Sequence, residues 1–166
     1  FELILWYSQM LIRNQPHIAA LLSQVFSHVL VDEYQDTKQI QYNLVGAILR
    51  AGAGRTKTFI VGDPNQAIYG SLGGYAISVT DFRALTGIPI REMELRLNYR
   101  SSARIIGHFS NFNVHATDIE GAGEMVGFPS HVSYNRLVAH DDLHDELVRL
   151  IQESLAEGHA PEEICV

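Results

Sequence analysis

Two adjacent carboxylates, Asp32 and Glu33, directly follow a short apolar run at residues 29–31. Such a run is typical of a buried β-strand, which would place both acidic groups at the C-terminal end of that strand. In that position Asp32 can hold the Mg²⁺ that accompanies a nucleotide triphosphate, while Glu33 can orient an attacking water. We therefore predict metal-assisted nucleotide chemistry for residues 31–37, VDEYQDT, which we call the acidic segment.

Two later segments carry further groups suited to phosphate chemistry. The glycine segment, VGDPNQAIYG at residues 61–70, follows another apolar run and contains the amide of Gln66. The arginine segment, LRLNYRSS at residues 95–102, contains Tyr99 and Arg100. A guanidinium supplies fixed, permanently charged donors that suit a phosphoryl group in its transition state, and a tyrosine ring offers a flat surface to a base.

The order of the acidic, glycine and arginine segments resembles motifs II, III and IV of the UvrD/Rep family of superfamily 1 DNA helicases. The resemblance covers roughly the whole chain and is most specific between about residues 26 and 102. It implies an ATP-dependent helicase that uses ATP and Mg²⁺, moves along single-stranded DNA and unwinds duplexes in DNA repair or recombination. It also implies a RecA-like parallel sheet of the P-loop NTPase type with flanking helices.

The same resemblance implies roles for individual side chains. Asp32 and Glu33 would hold the metal, and Glu33 would also activate the attacking water. Gln66 would sense the γ-phosphate, Arg100 would act as an arginine finger, and Tyr99 would stack on the adenine base. The implied ATP-binding residues are Asp32, Gln66, Tyr99 and Arg100.

A tyrosine at the end of the glycine segment bears on DNA binding. Tyr69 matches a family aromatic that stacks on a single-stranded base, a contact typically worth about 1–3 kcal/mol. The next residues depart from the family pattern, because 71–74 read SLGG where an aromatic, an arginine, a glycine and an alanine are usual. The chain therefore lacks a second stacking platform and a phosphate-binding cation, although Tyr75 could substitute for the aromatic.

Simpler structural roles stay open for several of these residues. Asp36 is more often a helix N-cap, here for a helix predicted at 38–51, than a catalytic group. Asp63 can stabilise a turn, Arg100 taken alone would be a solvated surface residue, and Tyr69 can be a buried structural tyrosine. For the whole chain, a degenerate non-catalytic binding module and a part of a helicase-nuclease subunit stay open beside the helicase.

Composition argues against several classes of protein. A net charge of −7 disfavours a general nucleic-acid-binding surface, because phosphate contacts come mainly from Lys and Arg. No apolar run approaches the roughly 18 residues needed to cross a bilayer, so we expect no membrane association. The single cysteine, Cys165, rules out an internal disulfide framework and suits a reducing compartment, so we expect a cytoplasmic protein.

The sequence lacks a recognisable phosphate-binding loop. Residues 52–58, GAGRTKT, resemble one, but the spacing is one residue short and the run leads into a predicted strand instead of a helix. The chain also starts without Met and inside a helical pattern, so we expect the remainder of a helicase chain to supply the loop. His140 and His144 have helical spacing but no convincing third ligand, which argues against a metal site there.

The elements that must position these groups alternate between strands and helices. Periodicity predicts helices before residue 26, at 38–51, at 80–87, after a Ser101 or Ser102 cap, and after an Asp142 cap; strands at 29–31, 59–61, 91–97, 132–138 and 164–166; and a loop at 113–129. A long crossover between strands implies parallel pairing. We predict an α/β fold in two lobes, with 1–88 as the C-terminal half of a first RecA-like domain, 89–166 as the start of a second, and ATP between them.

We expect the isolated chain not to hydrolyse ATP at a helicase-like rate. The physical reason is that no lysine-bearing loop holds the β- and γ-phosphates. Phosphate release from the purified chain, measured with Mg²⁺, ATP and single-stranded DNA, checks this expectation. Robust turnover that Asp32→Asn abolishes would contradict it.

Overall fold

The protein, described here over residues 2–166 in a computed structural model, has a mixed α/β architecture. The helices are α1 Glu2–Asn14, α2 Pro16–Val25, α3 Gln39–Gly52, α4 Val79–Thr86, α5 Ala103–Phe109 and α6 Leu143–Ala156. The strands are β1 His28–Val31, β2 Lys57–Ile60, β3 Leu97–Asn98 and β4 Glu120–Gly121. The predicted α/β class is therefore confirmed.

Strands β1 and β2 form a parallel pair, with His28 opposite Lys57 and Val31 opposite Ile60. Helix α3 lies in the connection between them, as the sequence predicts for a strand, a helix and a strand in succession. Because the two strands run in the same direction, their C-terminal ends lie at the same edge of the sheet. The residues that follow Val31 and Ile60 are the acidic and glycine segments.

The expectation that β1 is a buried strand is wrong. Val29 and Val31 are half-buried, but Leu30 is 72 % exposed and its cross-strand neighbour Phe59 is 66 % exposed. An apolar run indicates that a strand can be buried on both faces. Whether a second layer covers each face depends on the other elements present, which the run itself does not encode.

The main core lies between α3 and α4. Tyr42 and Leu49 of α3 are buried together with Phe82 of α4 and with Ile77, which precedes that helix. The rings of Tyr42 and Phe82 meet edge to face with their centroids 6.2 Å apart. Gly46 lets the helices approach closely, because a Cβ there would lie 2.7 Å from Cγ of Leu85.

A buried hydroxyl joins the start of β2 to the end of α2. Thr56 is 1 % exposed, and its Oγ1 lies 3.1 Å from the carbonyl oxygen of Ser23 and 3.0 Å from that of Phe26. The backbone N–H of Lys57 donates to the carbonyl of Ser27 at 2.8 Å. These bonds hold the start of the parallel pair against the end of α2.

The second half of the chain contains less regular structure than the sequence predicts. The strand expected at 91–97 is wrong except at Leu97, which begins the two-residue parallel pair of β3 with β4. The strands expected at 132–138 and 164–166 are absent from the described residues, and the predicted loop at 113–129 contains β4. Alternating apolar residues favour a strand, but a strand forms only where a neighbour takes up its backbone hydrogen bonds.

The predicted helix caps are borne out in part. Ser102 caps α5, with its Oγ accepting the N–H of Ile105 at 3.4 Å. The Asp36 prediction is wrong, because α3 begins after Lys38, whose N–H donates to Oε1 of Gln41 at 2.9 Å. Asp142 does occupy the N-cap position of α6, but its side chain makes no capping hydrogen bond.

The described residues leave much of their surface exposed. Their accessible area is 12591 Å², whereas a folded monomer of this length exposes about 8,200 Å². Large apolar side chains on α1 and on the sheet account for part of the excess, among them Leu3, Tyr7, Leu30 and Phe59. Over residues 2–166 the structure has no helix that is both long and apolar enough to span a bilayer.

Leu49→Ala is expected to destabilise the fold by about 2–5 kcal/mol, because a fully buried side chain leaves a cavity when it is truncated. The matched control is Leu21→Ala on α2, where the side chain is exposed and the loss should stay below about 1 kcal/mol. Urea unfolding followed by circular dichroism measures both. Equal losses in the two variants would refute the placement of the core beneath α3.

Candidate functional site

The acidic pair lies directly beyond the C-terminal end of β1. Asp32 and Glu33 are both exposed and follow Val31 without an intervening residue. Strand-like pairing continues past the strand end, since the N–H of Val61 donates to the carbonyl of Val31 at 2.9 Å and the N–H of Tyr34 donates to the carbonyl of Val61 at 3.1 Å. The acidic and glycine segments therefore meet at one edge of the sheet, as the parallel pairing requires.

Glu33 has a left-handed backbone conformation, with φ 49° and ψ 51°. A non-glycine residue in a sparsely populated region of this kind costs about 1–3 kcal/mol and persists only where its surroundings hold it. Two contacts do so, because the N–H of Glu33 donates to Oδ1 of Asp32 at 3.0 Å, and its carbonyl accepts the N–H of Asp36 at 2.9 Å. The chain turns sharply at Glu33 into a 3₁₀ turn over Tyr34–Asp36.

Gln35 is a buried residue of the site that the sequence reasoning missed. It is 2 % exposed, and its Nε2 donates to Oε2 of Glu33 at 2.7 Å. Its Oε1 accepts the N–H of Asp63 at 3.0 Å. Glutamine is usually a surface residue, so its type gave no signal for burial.

Gly62 is required by the close approach of the acidic segment. A Cβ at Gly62 would lie 2.3 Å from Oε1 of Gln35, 2.6 Å from Cδ1 of Tyr34 and 2.8 Å from the backbone N of Tyr34. Any side chain there would displace both neighbours. The glycine therefore creates the space that the amide of Gln35 occupies.

Asp63 organises the turn that carries Gln66. Its Oδ1 accepts the N–H of Asn65 at 2.9 Å, and its Oδ2 accepts the side-chain N–H of Gln66 at 3.1 Å. The structural role that the sequence left open for Asp63 is thus confirmed. Because Asp63 also donates its own N–H to Gln35, the amide of Gln66 is connected through hydrogen bonds to the acidic pair.

The electrostatic environment of this edge is negative. Burial raises the pKa of the Tyr34 phenol, and the carboxylates of Asp63 and Glu92 raise that pKa further. Burial likewise raises the pKa of Tyr42, whose hydroxyl donates to the carbonyl of Tyr34 and so joins the core to the site. Carboxylates gathered at one edge favour the binding of a positive ion.

The donor set suits Mg²⁺ that is shared with phosphates. Residues 2–166 contain no group of three or more His, Cys, Asp or Glu side chains able to hold a metal by themselves. Asp32 and Glu33 supply carboxylate oxygens at an exposed edge. Mg²⁺ in nucleotide sites is typically bound by one or two carboxylates, substrate phosphates and water, and these two residues fit that arrangement.

Tyr99 and Arg100 lie in a turn that follows β3. Oδ1 of Asn98 accepts the N–H of Arg100 at 3.0 Å and that of Ser101 at 2.8 Å. Both side chains are exposed, and the Tyr99 ring lies beside Gly123. Within residues 2–166 no hydrogen bond or ion pair joins Arg100 to Asp32, Glu33 or Gln66, so the nucleotide roles of Arg100 and Tyr99 stay predictions.

Tyr69 presents its ring at the surface. It is 48 % exposed, so the interpretation as a buried structural tyrosine is wrong. The carbonyl of Tyr69 accepts the N–H groups of Leu72 at 2.9 Å and of Gly74 at 2.9 Å. These bonds close a compact loop that contains residues 71–74, which differ from the family pattern. Tyr75, the possible substitute, packs edge to face on Tyr42 with centroids 6.3 Å apart, so part of its ring serves the core.

A second contact that the sequence did not reveal joins the two halves of the chain. The side-chain N–H of Asn65 donates to the carbonyl of His115 at 3.0 Å, and Oδ1 of Asn65 accepts the N–H of His115 at 2.8 Å. An amide can make both bonds at once, whereas a carboxylate can only accept. The glycine segment is therefore fastened to the region that follows α5.

The sequence profile of the UvrD/REP helicase N-terminal domain matches residues 1–83. The chain is similar to DNA helicase II of Escherichia coli (strain K12), with 42 % identity over 95 residues, 56 % of this chain and 12 % of that protein. It is also similar to the ATP-dependent DNA helicase UvrD1 of Mycobacterium tuberculosis (strain H37Rv), with 34 % identity over 159 residues, 86 % of this chain and 19 % of that protein. The chain thus spans less than a fifth of the length of these relatives.

Gly62→Ala is expected to destabilise the chain by about 1–3 kcal/mol, because the added methyl group overlaps Gln35 and Tyr34. Gly70→Ala is the matched control in the same segment, since its Cβ would meet nothing within 4 Å. Thermal unfolding of both variants measures the difference. If Gly62→Ala unfolds at the same temperature as Gly70→Ala, the close approach of Gly62 to Gln35 and Tyr34 is refuted.

Proposed function

Because the chain belongs to the UvrD/REP helicase N-terminal domain family, we propose that it forms part of a longer ATP-dependent DNA helicase and contributes the residues that hydrolyse ATP. One observation carries this proposal. Asp32 and Glu33 stand at the carboxyl end of a parallel strand, where their hydrogen-bonded neighbours connect them to Gln66. Ligand sites of open α/β sheets lie at this end of the strands.

In the proposed reaction the acidic pair divides two tasks. Mg²⁺, held by Asp32 and Glu33 together with nucleotide phosphates, would supply a positive charge that stabilises the transferring phosphoryl group. Glu33 accepts a proton from the attacking water and keeps that water in line with the γ-phosphate. Its strained backbone and its bond to Gln35 support a fixed orientation of the carboxylate.

Gln66 contacts the γ-phosphate in this proposal. Its amide nitrogen donates to Asp63 and is therefore already oriented by the turn at residues 64–66. Loss of the γ-phosphate after hydrolysis would change the partner of that amide. The turn, and through Asn65 the backbone at His115, would then respond to the state of the nucleotide.

The remaining nucleotide contacts come from the second half of the chain. We assign residues 1–88 to a first RecA-like lobe and residues 89–166 to the start of a second, with ATP in the cleft between them. Arg100 then reaches the γ-phosphate as an arginine finger, and Tyr99 stacks on adenine. The exposure of both side chains supports this assignment, because each is available for a ligand.

Single-stranded DNA is the proposed polymer substrate. The exposed ring of Tyr69 can stack on a base, which is worth about 1–3 kcal/mol. The net charge of −7 and the absence of a cation at residues 71–74 predict weak binding by this chain alone, so the rest of the helicase supplies most phosphate contacts. Cycles of cleft closure and opening would drive translocation in the 3′ to 5′ direction and unwinding in repair or recombination.

One observation favours a second candidate, a non-catalytic module with an inherited fold. The turn Gly70–Leu72 carries an exposed apolar side chain, Leu72, where the family usually has an arginine. The presence of Asp32, Glu33, Gln66 and Arg100 favours the enzyme, because a scaffold has no physical need for all four. DNA-stimulated ATP hydrolysis by a Glu33→Gln protein separates the two candidates.

Glu33→Gln in the longer protein is expected to lower the kcat of DNA-stimulated ATP hydrolysis by about 10²–10⁴-fold, because the amide cannot accept the proton of the attacking water. The control is Glu162→Gln, which removes one exposed carboxylate from the distal end of the chain and should leave the rate unchanged. Phosphate release with saturating Mg²⁺, ATP and single-stranded DNA measures both. A Glu33→Gln protein that hydrolyses ATP at the normal rate would remove the basis of the proposed function.

A further inference from the structure

Gln35 connects the two segments that meet at the edge of the sheet. Its amide nitrogen donates to Oε2 of Glu33 at 2.7 Å, and its amide oxygen accepts the N–H of Asp63 at 3.0 Å. We infer that Gln35 is a positioning residue, which fixes the Glu33 carboxylate relative to the turn that carries Gln66. This inference rests on the proposed function, in which Glu33 orients the attacking water.

The two partners of Gln35 determine how its amide is oriented. An ionised carboxylate can only accept, so Glu33 must face the NH₂ group, and a backbone N–H can only donate, so Asp63 must face the carbonyl oxygen. A glutamate at position 35 would retain the second bond and lose the first. A methionine would have a similar length and would lose both.

Burial makes both bonds necessary. The residue is 2 % exposed, so water cannot reach the amide to replace a lost partner, and a buried amide without partners is destabilising. The space for the amide exists because position 62 has no side chain, since a Cβ at Gly62 would lie 2.3 Å from Oε1 of Gln35. The side chain is therefore confined between Glu33 and Asp63.

The hydrogen bonds continue beyond Asp63. Oδ2 of Asp63 accepts the side-chain N–H of Gln66 at 3.1 Å, so a continuous chain of bonds runs from Glu33 through Gln35 and Asp63 to Gln66. The residue that orients the water and the residue that contacts the γ-phosphate are thus joined through hydrogen bonds. Of the four residues joined in this way, only Gln35 has a fully buried side chain.

The experiment compares Gln35→Glu and Gln35→Met in the longer protein by steady-state, DNA-stimulated ATP hydrolysis. Both variants should lower kcat by about 10–100-fold, the usual effect of removing a partner that orients a reacting group. The KM for ATP should stay within about twofold, because the buried Gln35 amide binds Glu33 and Asp63 and is assigned no contact with the nucleotide. Gln39→Glu and Gln39→Met are the matched controls on an exposed glutamine four residues away, and their kcat should not change.

A double-mutant cycle with Glu33→Gln separates positioning from a general structural role. If Gln35 acts through Glu33, adding Gln35→Met to Glu33→Gln lowers the residual rate no further. Thermal unfolding and the affinity for a non-hydrolysable ATP analogue establish that each variant is folded. Should Gln35→Glu fail to fold, the methionine variant, which preserves the packing volume, supplies the result.

Three outcomes would overturn the inference. Normal kcat in the Gln35 variants, together with an inactive Glu33→Gln protein, would refute the positioning role and leave the proposed function intact. Losses that multiply in the double variant would show that Gln35 acts independently of Glu33, and would refute it as well. Normal kcat in Glu33→Gln would instead remove the proposed function, and the positioning role with it.

Discussion

The parallel pairing of β1 with β2 is the constraint on which the candidate site depends. Parallel strands end at the same edge, so residues that are about thirty positions apart in sequence come together there. Hydrogen bonds between Val31, Val61 and Tyr34 extend the pairing past the strand ends and bring the acidic segment against the glycine segment. Helix α3 makes this geometry possible, because it spans the crossover and packs its buried face on α4.

The site at this edge combines local strain with dense hydrogen bonding. Glu33 adopts a left-handed conformation, its backbone bonds to Asp32 and Asp36 hold it there, and Gln35 binds its carboxylate. Such strain lowers stability, and the surrounding core offsets it through Tyr42, whose hydroxyl contacts the carbonyl of Tyr34. The result is a carboxylate pair on a firmly held backbone in a negative environment, which is the kind of arrangement that binds a cation together with phosphates.

The surface of the chain agrees with its relation to much longer proteins. One face of the β1 and β2 pair exposes Leu30 and Phe59, although an α/β sheet normally buries both of its faces. The second half has few buried side chains, with Ser102 and Ile106 of the α5 region among them. The exposed face of the sheet is apolar, and the matched helicases are at least five times longer than the aligned segment.

The sequence by itself determined the α/β class, the parallel β1 and β2 pair, helices α3 and α4, and the meeting of Asp32 and Glu33 with the glycine segment. Those features follow from local periodicity and from the rule that parallel strands share an edge. Tertiary structure alone decided that Gln35 is buried, that Gly62 must lack a side chain and that Asn65 binds the backbone at His115. It also decided that residues 91–96 and 132–138 are not strands. The physical reason is common to all of these cases, because burial and strand formation depend on neighbours distant in sequence, which the type of a residue does not specify.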